Sequence, residues 1–107
     1  MAKKIFVATI LASVLVTACV AEAAEVYVGA YSDGTPVYLL THKISIRSHS
    51  PYRFACIVRA GGDYLNYSFY PYNGSPYYRN SDGYSGYVFG GLSPVAASIY
   101  RYVTNNY

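Results

Sequence analysis

The 107-residue chain has no tryptophan, one methionine and two cysteines, and only 12% of its residues are charged. Each shortage closes off a class of protein. Cys19 lies in an apolar N-terminal run and Cys56 stands alone beyond it, so the body of the chain has no internal disulfide, although small exported domains often depend on one. Phe54, Cys56 and Val58 share one face of an alternating segment, which predicts a buried thiol acting as a small hydrophobe. The basic residues beyond the N-terminal run, Lys43, Arg47, Arg53, Arg59, Arg79 and Arg101, are scattered singly. Nucleic-acid binders gather such residues on one helix or face, so no nucleic-acid partner is expected. No apolar segment of ~20 residues follows residue 23, which predicts no transmembrane segment after processing.

Catalytic groups are equally sparse. His42 and His49 have neither HExxH geometry nor a cysteine partner. Ser48-His49-Ser50 invites a nucleophile, but adjacent side chains on an extended chain point apart and cannot share a proton. Asp33, Asp63 and Asp82 each adjoin a glycine, where turn chemistry explains them. The expectation is a protein with no catalytic residue, no metal site and no cofactor.

The N-terminus supplies an address. Lys3 and Lys4 precede an uninterrupted apolar or small-residue run, Ile5 to Val20, and Ala21-Glu22-Ala23 then offers a small-x-small cleavage site. This predicts a signal peptide over residues 1–23, cleaved between Ala23 and Ala24, and a periplasmic or extracellular destination. Val16-Thr17-Ala18-Cys19 also resembles a relaxed lipobox; acylation at Cys19 is the alternative and would tether the protein to a membrane. The alanine site is the better formed of the two, because the lipobox lacks leucine at its first position.

Residues 24–107 read as a single small α+β domain. Alternating segments, "EVYVGAY", "PVYLL", "KISIR", "YRFACIVRA", "YLNYSFYPY", "PYYRN" and "YSGYVFG", are separated by turn signals at Asp33-Gly34, Gly61-Gly62, Asn73-Gly74 and Asp82-Gly83. The pattern predicts a small antiparallel β-meander. The period then changes: Ser93 as N-cap and Pro94 at the first helical position open a helix over about 94–104. Its stripe of Val95, Ile99, Tyr102 and Val103 would cover one face of the sheet.

What the chain has in excess is tyrosine, 15 in all. Tyr64, Tyr70, Tyr72, Tyr77, Tyr78, Tyr84 and Tyr87 crowd between residues 64 and 87 and are the candidate ligand-binding residues. Pleating sends Tyr77 and Tyr78 to opposite faces, so at least one leaves the core. Two readings stand at this level. Exposed tyrosines give rigid contact area with a hydroxyl, suited to a surface glycan, a peptide or a protein partner. Tyrosine is also a good strand former that fills half-buried positions, as in a periplasmic structural or inhibitor-like domain with no small-molecule site.

Two resemblances follow from these motifs. "PYYRNSDGYSGYV", Pro76 to Val88, is similar to a cell-wall-binding repeat. Such repeats stack in tandem at short period, whereas the related turn here recurs only at Gly34 and Gly74 and the tryptophans of those sites are absent; that family is rejected. The opening hairpin "VYVGAYSDGTPVYL", the short strand at Ser45-Ile46, and the closing helix led by Ser93-Pro94 with Ile99-Tyr100 resemble small exported bacterial proteins similar to surface-adhesin E. The resemblance implies an α+β fold and an envelope or surface role such as adhesion. It assigns no functional residue, since Leu39-Leu40 replace the usual aspartate and the usual cysteine after the last helix is missing.

Overall fold

The computed structural model describes residues 24–107; the expected signal peptide, Ala23 and Cys19 lie outside the described residues. Seven strands follow in order: β1 (Glu25–Ala30), β2 (Pro36–Leu40), β3 (Ser45–His49), β4 (Tyr52–Ala60), β5 (Asp63–Tyr72), β6 (Ser75–Asn80) and β7 (Ser85–Tyr87). One helix, α1 (Pro94–Asn106), closes the chain. All pairings are antiparallel, in the order β1-β2-β4-β5-β6-β7, with β3 also on β4. This is the α+β sheet-and-helix architecture that the alternation predicts.

Tight turns set the registers. Asn73 and Gly74 have φ of 53° and 79°, the doubly left-handed pair that a two-residue hairpin needs and Asn-Gly supplies. The turn pins Tyr72 opposite Ser75, and hence Tyr70 opposite Tyr77. One departure from a simple meander lies at β2 and β3, which run the same way along one side of β4. Leu39 pairs with Val58 and Ser45 with Ala55. Between them the chain leaves the ladder in one 3-10 turn, Thr41–Lys43, so Cys56 and Ile57 have no partner in the register on that side.

The alternating residues Phe54, Cys56 and Val58 on β4, and Leu65, Tyr67 and Phe69 on β5, are buried on one face. Phe54 stacks on Phe69 with centroids 4.6 Å apart. The helix lies across this face. Ser93 accepts a hydrogen bond from the Ala96 amide at 3.1 Å and Pro94 follows it, satisfying one of the helix's unpaired donors. A 13-residue helix is marginal by itself in water; burial of Val95, Ala96, Ile99 and Val103 holds it. Tyr100 adds its ring over Phe54 and Phe69. Gly29, with φ of 124°, marks a bulge in β1, and a Cβ there would meet Val95 at 3.4 Å. The glycine lets the first turn of α1 settle against the edge strand. The helix ends at Asn106 rather than near residue 104, because Asn106 donates back to the Tyr102 carbonyl at 2.8 Å and Tyr107 NH to Val103 at 2.9 Å.

Candidate functional site

With α1 on one face, the other face of the sheet is left uncovered among the described residues, and the alternation that fills the core fills this face too. On β5 it presents Tyr64, Asn66, Ser68, Tyr70 and Tyr72, which are exposed apart from the half-buried Tyr70. The registers align these with the neighbouring strands in transverse rows ~7 Å apart, two residues along a strand.

At one end Tyr70 pairs with Tyr77, and Tyr77 with Tyr87. Their ring centroids are 5.7 and 5.2 Å apart. Tyr72 joins them, 4.8 Å from Tyr77 and 6.2 Å from Tyr87. Four rings from three strands therefore form one aromatic platform. Two hydroxyls are tethered: Tyr77 Oη donates to Ser85 Oγ at 3.3 Å, and Asn73 Nδ2 donates to Tyr87 Oη at 3.2 Å.

At the other end Tyr27, Tyr38, Arg59 and Tyr64 form a row across β1, β2, β4 and β5. The Arg59 guanidinium lies 4.8 Å from the centre of the Tyr38 ring. It also grips Glu25 with two prongs, Nη2 to Oε1 at 2.8 Å and Nε to Oε2 at 3.1 Å. That bond holds the Glu25 carboxyl below its ordinary range and the guanidinium above its own. It is the one ion pair among the described residues.

Between the rows the floor mixes small polar residues with apolar ones. Ala55, Ile57, Asn66 and Ser68, with Lys43 and Ser45 at the lip, line a shallow depression of about 360 Å³. It lies where the 3-10 turn interrupts the β2–β3 edge. A second depression, about 320 Å³, lies at the other end of β4 and β5, among His49, Pro51, Tyr52, Pro71, Pro76 and Tyr100.

The seven candidate tyrosines thus divide. Tyr70, Tyr72, Tyr77 and Tyr87 meet in the platform. Tyr64, 64% exposed, shares their face at its far end, opposite Arg59. Tyr84, 67% exposed, sits in the β6–β7 turn, its amide bonded to Asn80 Oδ1. Tyr78 is corrected: it is buried against Tyr67 and Phe69 on the helix-covered face and cannot touch a ligand. The cause is the register, which sets Tyr78 opposite Phe69.

Tyr27, Tyr38, Arg53 and Arg79 also belong to the open face and escaped the sequence reading. The signal for Arg79 was the Asn73-Gly74 turn itself, since a two-residue hairpin places Arg79 opposite Ser68. The Asp33-Gly34 hairpin pairs Tyr27 with Tyr38, but their alignment with Arg59 and Tyr64 had no local signal, because that row forms only when β2 docks on β4.

Other reactive groups are held elsewhere. Cys56 is buried and burial pushes its thiol up to about 12. His42 is exposed in the 3-10 turn, and His49 Nε2 lies 2.9 Å from the Tyr107 carbonyl oxygen. Among the described residues no three His, Cys, Asp or Glu side chains gather as a metal site, and no helix is long and apolar enough to cross a membrane. Comparison with family models, curated proteins and solved structures found no match for this chain.

Proposed function

We propose that this chain is an exported, non-catalytic binding protein of the bacterial envelope or exterior that holds a saccharide chain on the open face of its sheet. The observation that carries this reading is the platform of Tyr70, Tyr72, Tyr77 and Tyr87, four rings joined through Tyr77 on the face that the helix leaves free. A sugar ring offers an apolar C–H face and a rim of hydroxyls. A tyrosine matches both, with a flat apolar ring and a polar tip. Beyond the platform Asn66 and Ser68 are exposed and can meet sugar hydroxyls, while Ala55 and Ile57 beside them offer apolar surface to sugar C–H faces. The depression there is shallow and open, a track for a chain rather than a pocket for a small molecule.

Cys56 faces the core with its thiol protonated, and the hydroxyl of Tyr67, raised by burial and its bond to Tyr31, is sealed beneath the helix-covered face.

Binding of the purified protein to a panel of immobilised neutral and acidic polysaccharides tests the reading. Tyr77→Ala and Tyr87→Ala are expected to lose at least about tenfold in affinity, roughly 1.4 kcal/mol, with far-UV circular dichroism unchanged. Undiminished binding by both variants overturns the platform's role. Mass spectrometry of the N-terminus after expression in a bacterial host tests export: the expected mature protein begins at Ala24.

A further inference from the structure

Resting on the saccharide reading above, we propose that the chain held on the open face is an acidic polysaccharide whose carboxylates are met by Arg53 and Arg79. Phe54 pairs with Phe69 and points into the core, so alternation puts the preceding residue, Arg53, on the open face, and continuing the register by one residue sets it level with Tyr70, Tyr77 and Tyr87. Arg79 pairs with Ser68 and Ser85 in the adjoining row. Both arginines are exposed, and neither has a carboxylate within ion-pair distance among the described residues.

The third arginine of this face, Arg59, is already occupied by Glu25. The remaining carboxylates lie elsewhere. Asp33 accepts from the Thr35 amide in the β1–β2 turn, Asp82 sits in the β6–β7 turn, and Asp63 pairs with the buried Ala60 on the core side. The open face therefore presents cations without uncompensated anions. Lys43, at the lip of the depression, adds a third.

The spacing selects the kind of anion. Two inter-strand steps and one two-residue step separate Arg53 from Arg79, ~12 Å between backbones. One small anion cannot bridge them, whereas a polymer with a charge on recurrent rings can touch both. Each planar guanidinium matches a planar carboxylate through two parallel hydrogen bonds. Single, well-separated cations do not suit the dense phosphates of a nucleic acid, whose binders neutralise many at once. A second copy of this face is disfavoured by like charge meeting like charge.

Polygalacturonate, its fully methyl-esterified form and a single-stranded oligodeoxynucleotide provide the test, read by equilibrium binding of the purified full chain at low and moderate salt. The expected result is that polygalacturonate binds, that esterification weakens binding at least about tenfold, and that Arg53→Gln with Arg79→Gln does the same. Raising salt from 50 to 300 mM should weaken the acid form and spare the ester. Arg101→Gln, on the exposed side of α1 over Phe89, is expected to change nothing.

If acid and ester bind equally and both depend on Tyr77, the acidic assignment is wrong and the saccharide platform stands. If no polysaccharide binds, the platform reading itself fails. Tighter binding of the oligodeoxynucleotide than of polygalacturonate overturns both in favour of a nucleic acid. Thermal melts of every variant within a few degrees of wild type confirm that binding rather than folding is compared.

Discussion

Tyr77 and Tyr78 are bonded neighbours whose rings lie on opposite faces of β6. The first packs on Tyr70, Tyr72 and Tyr87 at the open surface. The second is buried against Tyr67 and Phe69. One step along the chain separates a ring buried in the core from a ring on the open face.

Substitution should separate the two. Tyr78→Ala opens a cavity in the core and is expected to cost about 3 kcal/mol. Tyr77→Ala gives up surface aromatic contacts and should cost about 1 kcal/mol. Urea titration monitored by circular dichroism measures both, with an unchanged slope showing that the denatured state is unaffected. Equal losses at the two positions would contradict this division.

A second pair is joined by hydroxyls. Tyr31 Oη and Tyr67 Oη are 2.7 Å apart, linking the loop after β1 to the middle of β5. Burial raises the hydroxyl pKa of both residues, which keeps them protonated as donors. Tyr67→Phe and Tyr31→Phe should each cost about 1 kcal/mol, and the double variant clearly less than the sum. Strict additivity in the cycle would mean that the hydroxyls contribute nothing to each other.

At the start of α1, Ser93→Ala removes the acceptor for the Ala96 amide. A loss of about 1 kcal/mol is expected, or ~4–8 °C in Tm for a domain of this size. Ser93→Asp restores an acceptor at the positive end of the helix and should recover most of it.

Cys56 opens the alkaline decline, which Tyr31 and Tyr67, also raised by burial, extend above the ordinary phenol range. Burial raises its thiol from about 9 to about 12, so the folded state holds its proton more tightly than the unfolded chain does. Its contribution is complete below the ordinary thiol range and declines as pH rises from there toward 12. Stability measured by urea titration should be level near neutrality and fall from about pH 9 upward. At pH 8 the native thiolate is roughly a thousandfold scarcer than in a free cysteine, so a disulfide reagent should modify Cys56 only as fast as the protein opens. Prompt stoichiometric modification of the native protein would rule out this burial.

The local grammar of the chain was legible. Asn73-Gly74 made its tight turn with φ positive at both residues, and Ser93-Pro94 began the helix. Alternation placed Leu65, Tyr67 and Phe69 together in the core. Choosing the face of Tyr78 needed more, because pleating states only that Tyr77 and Tyr78 diverge. The register to Phe69 decides which goes in. Likewise, nothing within "PVYLLTHKISIR" shows that β2 and β3 are successive parts of one side of β4. That arrangement depends on a partner strand far along the chain, and the depression at its interruption was invisible without it.

The bare face of the sheet also divides the molecule by tolerance to change. Residues such as Phe54, Phe69 and Ile99 answer to packing, and each exchange among them disturbs several neighbours. Those at Asn66, Ser68, Tyr72 and Arg79 are exposed and carry little of the packing. Lineages can therefore rewrite the second set at little cost to folding while the first stays still. Relatives of this chain should share a silhouette in their helix and inward residues while differing across the bare face.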